Sequence, residues 1–139
     1  MSHLILVRHG QSDWNLENKF TGWVDVELAP QGKLEACKAG EFIKKLNLEI
    51  KHFYTSYQLR SIDTLKLILN TIRVKPNNII KAWQLNERHY GSLIGWNNDQ
   101  MKKKLGEDED HKVRIPWDKP PKPVNTKSPY HPKNISVYN

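Results

Sequence analysis

An arginine–histidine–glycine triplet follows a short apolar run near the start of the chain. Residues 4–7 are LILV, and Arg8, His9 and Gly10 come directly after them. A neutral imidazole is a nucleophile, an arginine fork binds a phosphate through two parallel hydrogen bonds, and a glycine lets the backbone turn sharply. The triplet therefore predicts nucleophilic attack on a phosphorylated compound. Further along the same loop, Ser12 and Asn15 add two neutral hydrogen-bond donors.

The triplet also has an ordinary structural interpretation. A histidine at the end of a strand can cap the backbone, with Arg8 as a surface charge. A strand, a glycine and a polar loop in register favour the chemical interpretation over this one.

Two further segments carry residues suited to binding an anion. In FTGWVD at residues 20–25, Thr21 and Gly22 offer a hydroxyl and a closely approaching backbone N–H. An ordinary turn anchored by Phe20 and Trp23 is an equally good interpretation. Arg60 lies one turn into a predicted helix, where it would add to the positive helix end. A solvated helix arginine is the alternative there, and taken alone it is the better one.

A fourth segment combines a carboxyl group with cationic and phenolic donors. In LNERHYG at residues 85–91, Glu87 is suited to proton transfer, and Arg88 and Tyr90 are suited to binding phosphate or carboxylate. A surface loop held by salt bridges is the alternative. Gly91 and Gly95 bound this polar stretch, which favours the site interpretation.

The elements that would position these motifs alternate between strand and helix. Residues 4–7, 53–55 and 79–83 have strand character, and residues 30–46 and 57–72 have helical periodicity. This order predicts right-handed crossovers and a parallel sheet, in which ligands bind beyond the carboxyl ends of the strands. We therefore expect the four motifs to converge at one edge of the sheet.

The periodicity also predicts which helix faces are buried. The buried face of the first helix is predicted at Leu34, Cys37, Ile43 and Leu46. The buried face of the second is predicted at Leu59, Ile62, Leu65, Ile68, Leu69 and Ile72.

Composition places the chain among globular proteins. It has 139 residues, of which 37% are hydrophobic and 27% charged, so we expect one domain over 1–139 with a proline-rich irregular segment at 116–139. No apolar run is long enough to span a membrane. The single cysteine, Cys37, excludes an internal disulfide framework. A cytoplasmic protein is expected.

The net charge of +7 favours anionic partners. A small phosphorylated compound is the expected partner. Nucleic acid has the least support, because the positive charge is spread over the whole chain. The histidines show no metal-ligand spacing, so no metal is expected.

Three stretches together resemble the cofactor-dependent phosphoglycerate mutases of the histidine phosphatase superfamily. They are LVRHGQSDWNLENKFTGWVDVEL at 6–28, YTSYQLRSIDTL at 54–65 and WQLNERHYGSLIGWN at 83–97. The resemblance implies a three-layer α/β/α fold with a mainly parallel sheet. It also implies interconversion of 3- and 2-phosphoglycerate in glycolysis and gluconeogenesis. The family uses a phosphohistidine intermediate, a 2,3-bisphosphoglycerate primer and no metal.

The resemblance assigns a role to each matching residue. His9 corresponds to the phosphohistidine nucleophile and Glu87 to the proton donor and acceptor. The expected phosphate or substrate contacts are Arg8, Ser12, Asn15, Thr21, Gly22, Arg60, Arg88, Tyr90, Asn98 and Arg114.

The chain also departs from the family pattern. Family members are longer and carry a second active-site histidine in a His-Gly pair, whereas neither His111 nor His131 precedes a glycine. Asn98 stands where the family usually has a substrate lysine, and Ile115 follows Arg114 where the family usually has an arginine pair. The sequence therefore resembles an N-terminal portion with the C-terminal part missing, and impaired activity is expected.

The missing part has a structural consequence. In the family fold its strands pair beside the first strand, so residues 4–7 would form an exposed apolar sheet edge, and a homo-oligomer is one way to cover such an edge. Two other functions stay open beside the mutase: a residual histidine phosphatase, and a non-catalytic remnant or partner-binding fragment.

Overall fold

The computed structural model of the chain describes residues 3–106 and 120–138. In chain order it contains α1 (Asp13–Leu16), α2 (Pro30–Lys45), β1 (Tyr54–Thr55), α3 (Leu59–Ile72), β2 (Ile80–Lys81) and α4 (Asn98–Leu105). Within the described residues there are also four single-turn 3-10 helices: Trp83–Leu85, Gly91–Leu93, Pro132–Asn134 and Ser136–Tyr138. None of the described helices has the length and apolar character needed to cross a membrane.

The internal contacts divide the chain into two compact units. Unit 1 contains the described residues up to Ser12 together with Glu27–Leu85. Unit 2 contains Asp13–Val26 together with the described residues from Asn86 onward. One domain over 1–139 stays a prediction.

A parallel pair of strands forms the sheet of unit 1. In β1 and β2, Tyr54 lies opposite Ile80 and Thr55 opposite Lys81. The Ile80 N–H donates to the Phe53 carbonyl at 2.9 Å, and the Ala82 N–H donates to the Thr55 carbonyl at 2.9 Å. Because α3 connects the two strands, this is the predicted β-α-β arrangement, and the parallel α/β class is confirmed.

The prediction of a strand at residues 4–7 is wrong for this structure. These residues belong to neither β1 nor β2, and the side chains of Leu4 and Leu6 are 81% and 84% exposed. A strand is defined by a hydrogen-bonded neighbour, and no described residue pairs with this segment. Apolar, β-branched character alone does not supply that neighbour.

Helix α2 lies where it was predicted, but it buries a different face. Pro30 occupies the first helical turn, where its missing N–H costs nothing, and Asn47 follows the helix with a φ of +50°. Leu34 and Leu46, both predicted to be buried, are 60% and 55% exposed.

Small residues spaced four apart form the buried face of α2 instead. They are Gly32, Ala36 and Gly40. A Cβ built at Gly40 would lie 2.7 Å from the Cβ of Thr71 in α3, which leaves no room for a side chain. The absence of side-chain bulk therefore lets α2 and α3 approach closely.

Helix α3 also lies where it was predicted. It ends at Ile72 and is followed by the C-cap residue Arg73, whose φ is +58°, and the Val74 N–H donates to the Leu69 carbonyl at 3.0 Å. Ile68 and Leu69 of the predicted apolar face are buried. The other buried members of the helix are polar: Arg60 and Thr64.

A small cluster of hydrophobic side chains forms the core of unit 2. Phe20, Leu93 and Met101 are buried together, and Tyr90 packs against them. Backbone hydrogen bonds connect the segment around Phe20 with the turn before α4, including Phe20 N–H to the Trp96 carbonyl at 3.0 Å. The side chain of Asn97 caps α4 by accepting from the backbone N–H groups of Asp99 and Gln100.

The proline-rich segment packs on the same unit through isolated contacts. The Ser92 N–H donates to the Lys122 carbonyl at 2.8 Å, and the Tyr130 ring meets Trp14 edge-on with centroids 5.7 Å apart. Between residues 120 and 138 the regular structure consists of two 3-10 turns.

Candidate active site

The two ring nitrogens of His9 make different hydrogen bonds. Nδ1 lies 2.7 Å from the Gly10 carbonyl oxygen, and the Nε–H of Arg60 donates to Nε2 at 3.2 Å. A carbonyl oxygen only accepts and an arginine N–H only donates. We therefore assign the proton to Nδ1 and a lone pair to Nε2, which is the neutral, nucleophilic form of the ring.

Arg60 is held deep inside unit 1. It is the second residue of α3, and its exposure is 0%, so the solvated alternative considered from the sequence is excluded. A buried guanidinium is an unusual choice for pure structure, because desolvating a charge is costly. At the start of a helix it adds its charge to the positive helix end, close to Nε2 of His9.

A hydrogen-bond chain connects the His9 loop to the same helix. The Gly10 N–H donates to Oγ1 of Thr64 at 3.1 Å, and that hydroxyl donates to the Arg60 carbonyl at 2.7 Å. Sequence reasoning missed Thr64. Its signal is its position four residues after Arg60, which places both on one face of α3.

The first turns of α2 also contact the loop that follows His9. A Cβ at Gly10 would collide with the Gly32 carbonyl, so backbone approaches backbone here. The Gln11 N–H donates to the Glu35 carboxylate at 2.9 Å, and the Ala29 N–H donates to the Gln11 carbonyl at 2.9 Å. The loop after His9 is thus fixed by backbone contacts as well as by side chains.

The other two candidates of unit 1 differ in exposure. Arg8 is exposed, and Ser12 is fully buried and bridges to Leu28 in antiparallel fashion. It is Arg60, rather than the sequence neighbour Arg8, whose contact with the His9 ring defines the local geometry.

In unit 2, the segments 20–25 and 85–91 lie against each other. The indole N–H of Trp23 donates to the Glu87 carbonyl at 2.7 Å, and the Phe20 and Tyr90 rings lie 5.1 Å apart. Gly22 has a φ of +56°, and a Cβ there would lie 3.2 Å from the Tyr90 nitrogen. A left-handed conformation and a crowded backbone both require glycine at this position.

The five predicted site residues of these two segments occupy intermediate or buried positions. Thr21 is buried and its hydroxyl faces the Lys19 carbonyl at 3.4 Å. Glu87, Arg88 and Tyr90 are half-buried. Partly buried polar groups of this kind are positioned by the fold yet accessible to a ligand.

His89 lies between Arg88 and Tyr90, and its pKa is shifted in the folded chain. Its burial, and secondarily the charge of His131, lower the pKa of His89 from its ordinary value. The Gly91 N–H donates to its Nδ1 at 3.0 Å. The sequence analysis assigned no role to His89.

The remaining candidates are placed as follows. Asn15 lies exposed in α1. Asn98 is the first residue of α4, where its side-chain amide donates to the Oδ1 of Asn18 at 2.8 Å. Arg114 lies outside the described residues.

The predicted site residues are therefore divided between the two units. Unit 1 brings together His9 and Arg60 directly, with Arg8 and Ser12 on the same loop. Unit 2 holds Asn15, Thr21, Gly22, Glu87, Arg88, Tyr90 and Asn98. Convergence of the two sets at one sheet edge stays a prediction. Within the described part of the chain, no group of three or more potential metal ligands is found.

Most of the chain matches the sequence profile of a known family. The profile of the histidine phosphatase superfamily (branch 1) covers residues 4–131. The chain belongs to this superfamily. The match contains both segments that build the His9–Arg60 pair and the segments that meet in unit 2.

Relatives and solved structures agree with this membership. A 2,3-bisphosphoglycerate-dependent phosphoglycerate mutase from Pelagibacter ubique (strain HTCC1062) is 64% identical over 138 residues, which is 99% of this chain and 58% of that relative. A phosphoglycerate mutase from Bacillus anthracis str. Sterne superposes with a TM-score of 0.65 at 25% identity, over 73% of this chain and 44% of that one. YhfR of Bacillus stearothermophilus gives 0.65 at 27% identity, over 80% and 55%.

These comparisons confirm the phosphoglycerate mutase-like fold and the resemblance found in the sequence. The chain spans little more than half the length of the curated relative it matches.

Proposed function

We propose that this chain carries the phosphoryl-accepting site of a 2,3-bisphosphoglycerate-dependent phosphoglycerate mutase, with turnover impaired. The observation that carries the proposal is the His9 geometry: a lone pair on Nε2, facing a fully buried arginine. The name shared by its relatives supports the same substrate class, 3- and 2-phosphoglycerate.

In the proposed step, His9 attacks phosphorus through Nε2. A nitrogen–phosphorus bond forms, the bond from phosphorus to the donor's oxygen breaks, and the electron pair leaves with that oxygen, which takes up a proton. Transfer of the phosphoryl group from His9 to the free 2-hydroxyl of 3-phosphoglycerate would give 2,3-bisphosphoglycerate. A second attack by His9, on the 3-phosphate, would phosphorylate His9 again and leave 2-phosphoglycerate. Glu87 is proposed to supply and accept the proton.

The neighbours of His9 suit both states of its ring. Once Nε2 is phosphorylated the ring gains positive charge, and the Nδ1–H bond to the Gly10 carbonyl stabilises that charge. Arg60, which donates to Nε2 in the free protein, is positioned to donate to a phosphoryl oxygen instead. A preorganised, buried donor stabilises developing charge more than a solvated one does.

The residue types proposed for the site suit a multiply charged primer. When bound, 2,3-bisphosphoglycerate would supply the first phosphoryl group. Arg8 and Arg60 of unit 1, and Arg88 of unit 2, are the proposed cationic contacts. The proposed neutral contacts are Ser12, Asn15, Thr21, Gly22, Tyr90 and Asn98, and Arg114 completes the set by resemblance. No metal is proposed in this step.

Self-association and location belong to the same proposal. The exposed apolar side chains of Leu4, Leu6 and Val7 favour pairing with a second copy of the chain. A cytoplasmic location follows from phosphoglycerate as substrate.

The decisive experiment is labelling of the 139-residue chain with 2,3-bisphosphoglycerate that carries radioactive phosphate. We expect acid-labile, alkali-stable phosphate on His9, located by mass spectrometry. His9→Asn is the matched variant, because an asparagine amide still donates to the Gly10 carbonyl but offers no nucleophilic Nε2. His3→Asn, at an exposed position, is the control and should label normally.

The outcomes separate the alternatives. Equal labelling of His9→Asn and wild type would contradict the proposal. Labelled His9 that releases inorganic phosphate and transfers nothing to 3-phosphoglycerate would indicate a residual histidine phosphatase. No label on any histidine would indicate a non-catalytic fragment.

A further inference from the structure

A cavity of about 360 Å³ lies within unit 2, and its lining includes none of the residues proposed for phosphoryl transfer. Its walls are mostly apolar, made by the Trp23 indole, Val124 and four prolines (Pro120, Pro121, Pro123 and Pro132). Two imidazoles, those of His89 and His131, interrupt the apolar lining. Mostly apolar walls with a few polar groups are the usual composition of a small-molecule site.

In both histidines, Nδ1 accepts a hydrogen bond from a backbone N–H group. The Gly91 N–H donates to Nδ1 of His89 at 3.0 Å, and the Lys133 N–H donates to Nδ1 of His131 at 3.2 Å. In both cases a histidine caps the backbone N–H two residues later. A neutral imidazole whose Nδ1 accepts must carry its proton on Nε2. Both rings therefore have an Nε2–H donor left to bond.

One of these donors lacks an acceptor. Nε2 of His89 is buried and has no hydrogen-bond partner among the described residues. A buried donor without an acceptor is costly and rare in native proteins. A ligand that brings a hydrogen-bond acceptor would remove this cost.

The proton positions argue against a metal ion. A metal needs a lone pair on the nitrogen that it binds, whereas here each lone pair is on Nδ1 and accepts from the backbone. Binding a metal through Nε2 would break both backbone caps. The donors instead suit an oxygen acceptor.

Charge favours an anionic acceptor over a neutral one. His131 is the one other titratable side chain among the described residues that line the cavity, and its charge, after burial, contributes to lowering the pKa of His89. Along the chain, Glu87 and Arg88 precede His89, and Lys122 and Lys133 lie beside lining prolines. An anion that accepts from Nε2 of His89 would favour the protonated ring and so oppose the lowering of the pKa of His89.

We propose that this cavity binds a small carboxylate with an apolar body, whose oxygens accept from Nε2 of His89 and Nε2 of His131 while the body packs on Trp23 and the prolines. The proposal is independent of the phosphoryl chemistry at His9.

Phenylacetate is the test ligand, and phenylacetamide is its uncharged control of the same shape. The binding is followed by NMR on the Cε1–H resonances of the histidine rings in the full chain, at pH 6 and pH 8. We expect saturable shifts of His89 and His131 with phenylacetate, a common dissociation constant for both, and tighter binding at pH 6.

Asparagine variants isolate the proposed donors. His89→Asn and His131→Asn keep a side-chain oxygen that can accept the backbone N–H two residues later, but they remove Nε2–H. Each should weaken phenylacetate binding at least tenfold. His3→Asn should bind like wild type. His9→Asn should do so too, which separates this proposal from the function proposed above.

Three results would overturn the inference. One is the absence of saturable shifts in the wild-type chain. Another is equal affinity for phenylacetate and phenylacetamide. The third is an affinity for phenylacetate that is unchanged in both His89→Asn and His131→Asn. The first two results are measured on the wild-type chain, so they do not depend on the folding of a variant.

Discussion

At His9, two neighbours determine which nitrogen reacts. The Gly10 carbonyl holds the proton on Nδ1, and Arg60 directs an N–H at Nε2. The triplet at 8–10 indicated a nucleophilic histidine from sequence alone. The identity of its arginine partner, 51 positions along the chain, required the structure.

Arg60→Lys should slow phosphorylation of His9 by roughly 10²–10³-fold, the usual cost of losing one positioned donor. A lysine keeps the charge but has no Nε–H at the position that contacts Nε2. The time course of label incorporation from 2,3-bisphosphoglycerate measures the effect. Arg73→Lys, at the exposed end of the same helix, is the matched control and should label at the wild-type rate. A rate for Arg60→Lys close to wild type would show that Arg60 has only a structural role.

His89 should make stability depend on pH in one direction. Its pKa is lowered in the folded chain, so the unfolded chain binds a proton at a higher pH than the folded chain does. Stability from this group is therefore complete above its ordinary value of about 6.5 and is lost as pH falls below it. Urea midpoints at pH 5 and pH 7.5 should differ less in His89→Asn than in wild type. His3→Asn should keep the wild-type difference, and an unchanged difference in His89→Asn would refute the assignment.

At the level of elements, helix positions followed from periodicity but helix faces did not. In α2, apolar residues such as Leu34 are exposed, and Gly32, Ala36 and Gly40 form the contact. Hydrophobic periodicity identifies a buried face from its large apolar side chains, and glycine, which has no side chain, does not contribute to it. Close packing of two helices depends on the absence of side-chain bulk, which such a pattern does not register.

Gly40→Val should destabilise unit 1 by about 1–3 kcal/mol, the usual cost of forcing extra methyl groups into a packed contact. The added side chain would collide with Thr71 of α3. Glu41→Val, one position along on the exposed side of α2, controls for the lower helix propensity of valine. Urea unfolding followed by fluorescence measures both. Equal stability of the two variants would mean that α2 and α3 can separate without cost.

The strand predicted at residues 4–7, which the structure does not contain, illustrates a second limit of prediction from sequence. Local composition favours an extended backbone there, and the backbone is indeed neither helical nor hydrogen-bonded into β1 or β2. Whether an extended segment becomes a strand depends on a neighbour from elsewhere in the chain. Pairing is a non-local property, so the residues at 4–7 alone do not determine it.

At the level of the whole molecule, the residues proposed to act in phosphoryl transfer are divided between the two units. The proposed nucleophile belongs to one and the proposed proton donor, Glu87, to the other. The family motifs were enough to propose this set of residues because each motif is short and local. Their mutual arrangement depends on contacts between distant segments, and it stays a prediction.

Mutase turnover by the 139-residue chain should be very low. It has no His-Gly pair to supply a second histidine, and Asn98 and Ile115 replace expected cations. Losing one positioned donor typically costs about 2.7–4 kcal/mol, and several losses in one site need not add. A coupled assay with saturating 3-phosphoglycerate and primer is the measurement, with the 64% identical Pelagibacter ubique relative as positive control. A kcat within tenfold of the common enzyme value of about 10 s⁻¹ would show that these departures are harmless.

The shortness of β1 and β2 has a spectroscopic consequence. Each strand contains two residues, whereas α2 and α3 contain 16 and 14. Far-ultraviolet circular dichroism of this α/β protein should therefore give the double minimum of a helical protein with almost no sheet contribution. In amide hydrogen–deuterium exchange, slow signals should come from the centres of α2 and α3. The sheet should contribute chiefly the amides of Ile80 and Ala82, which donate across the pair.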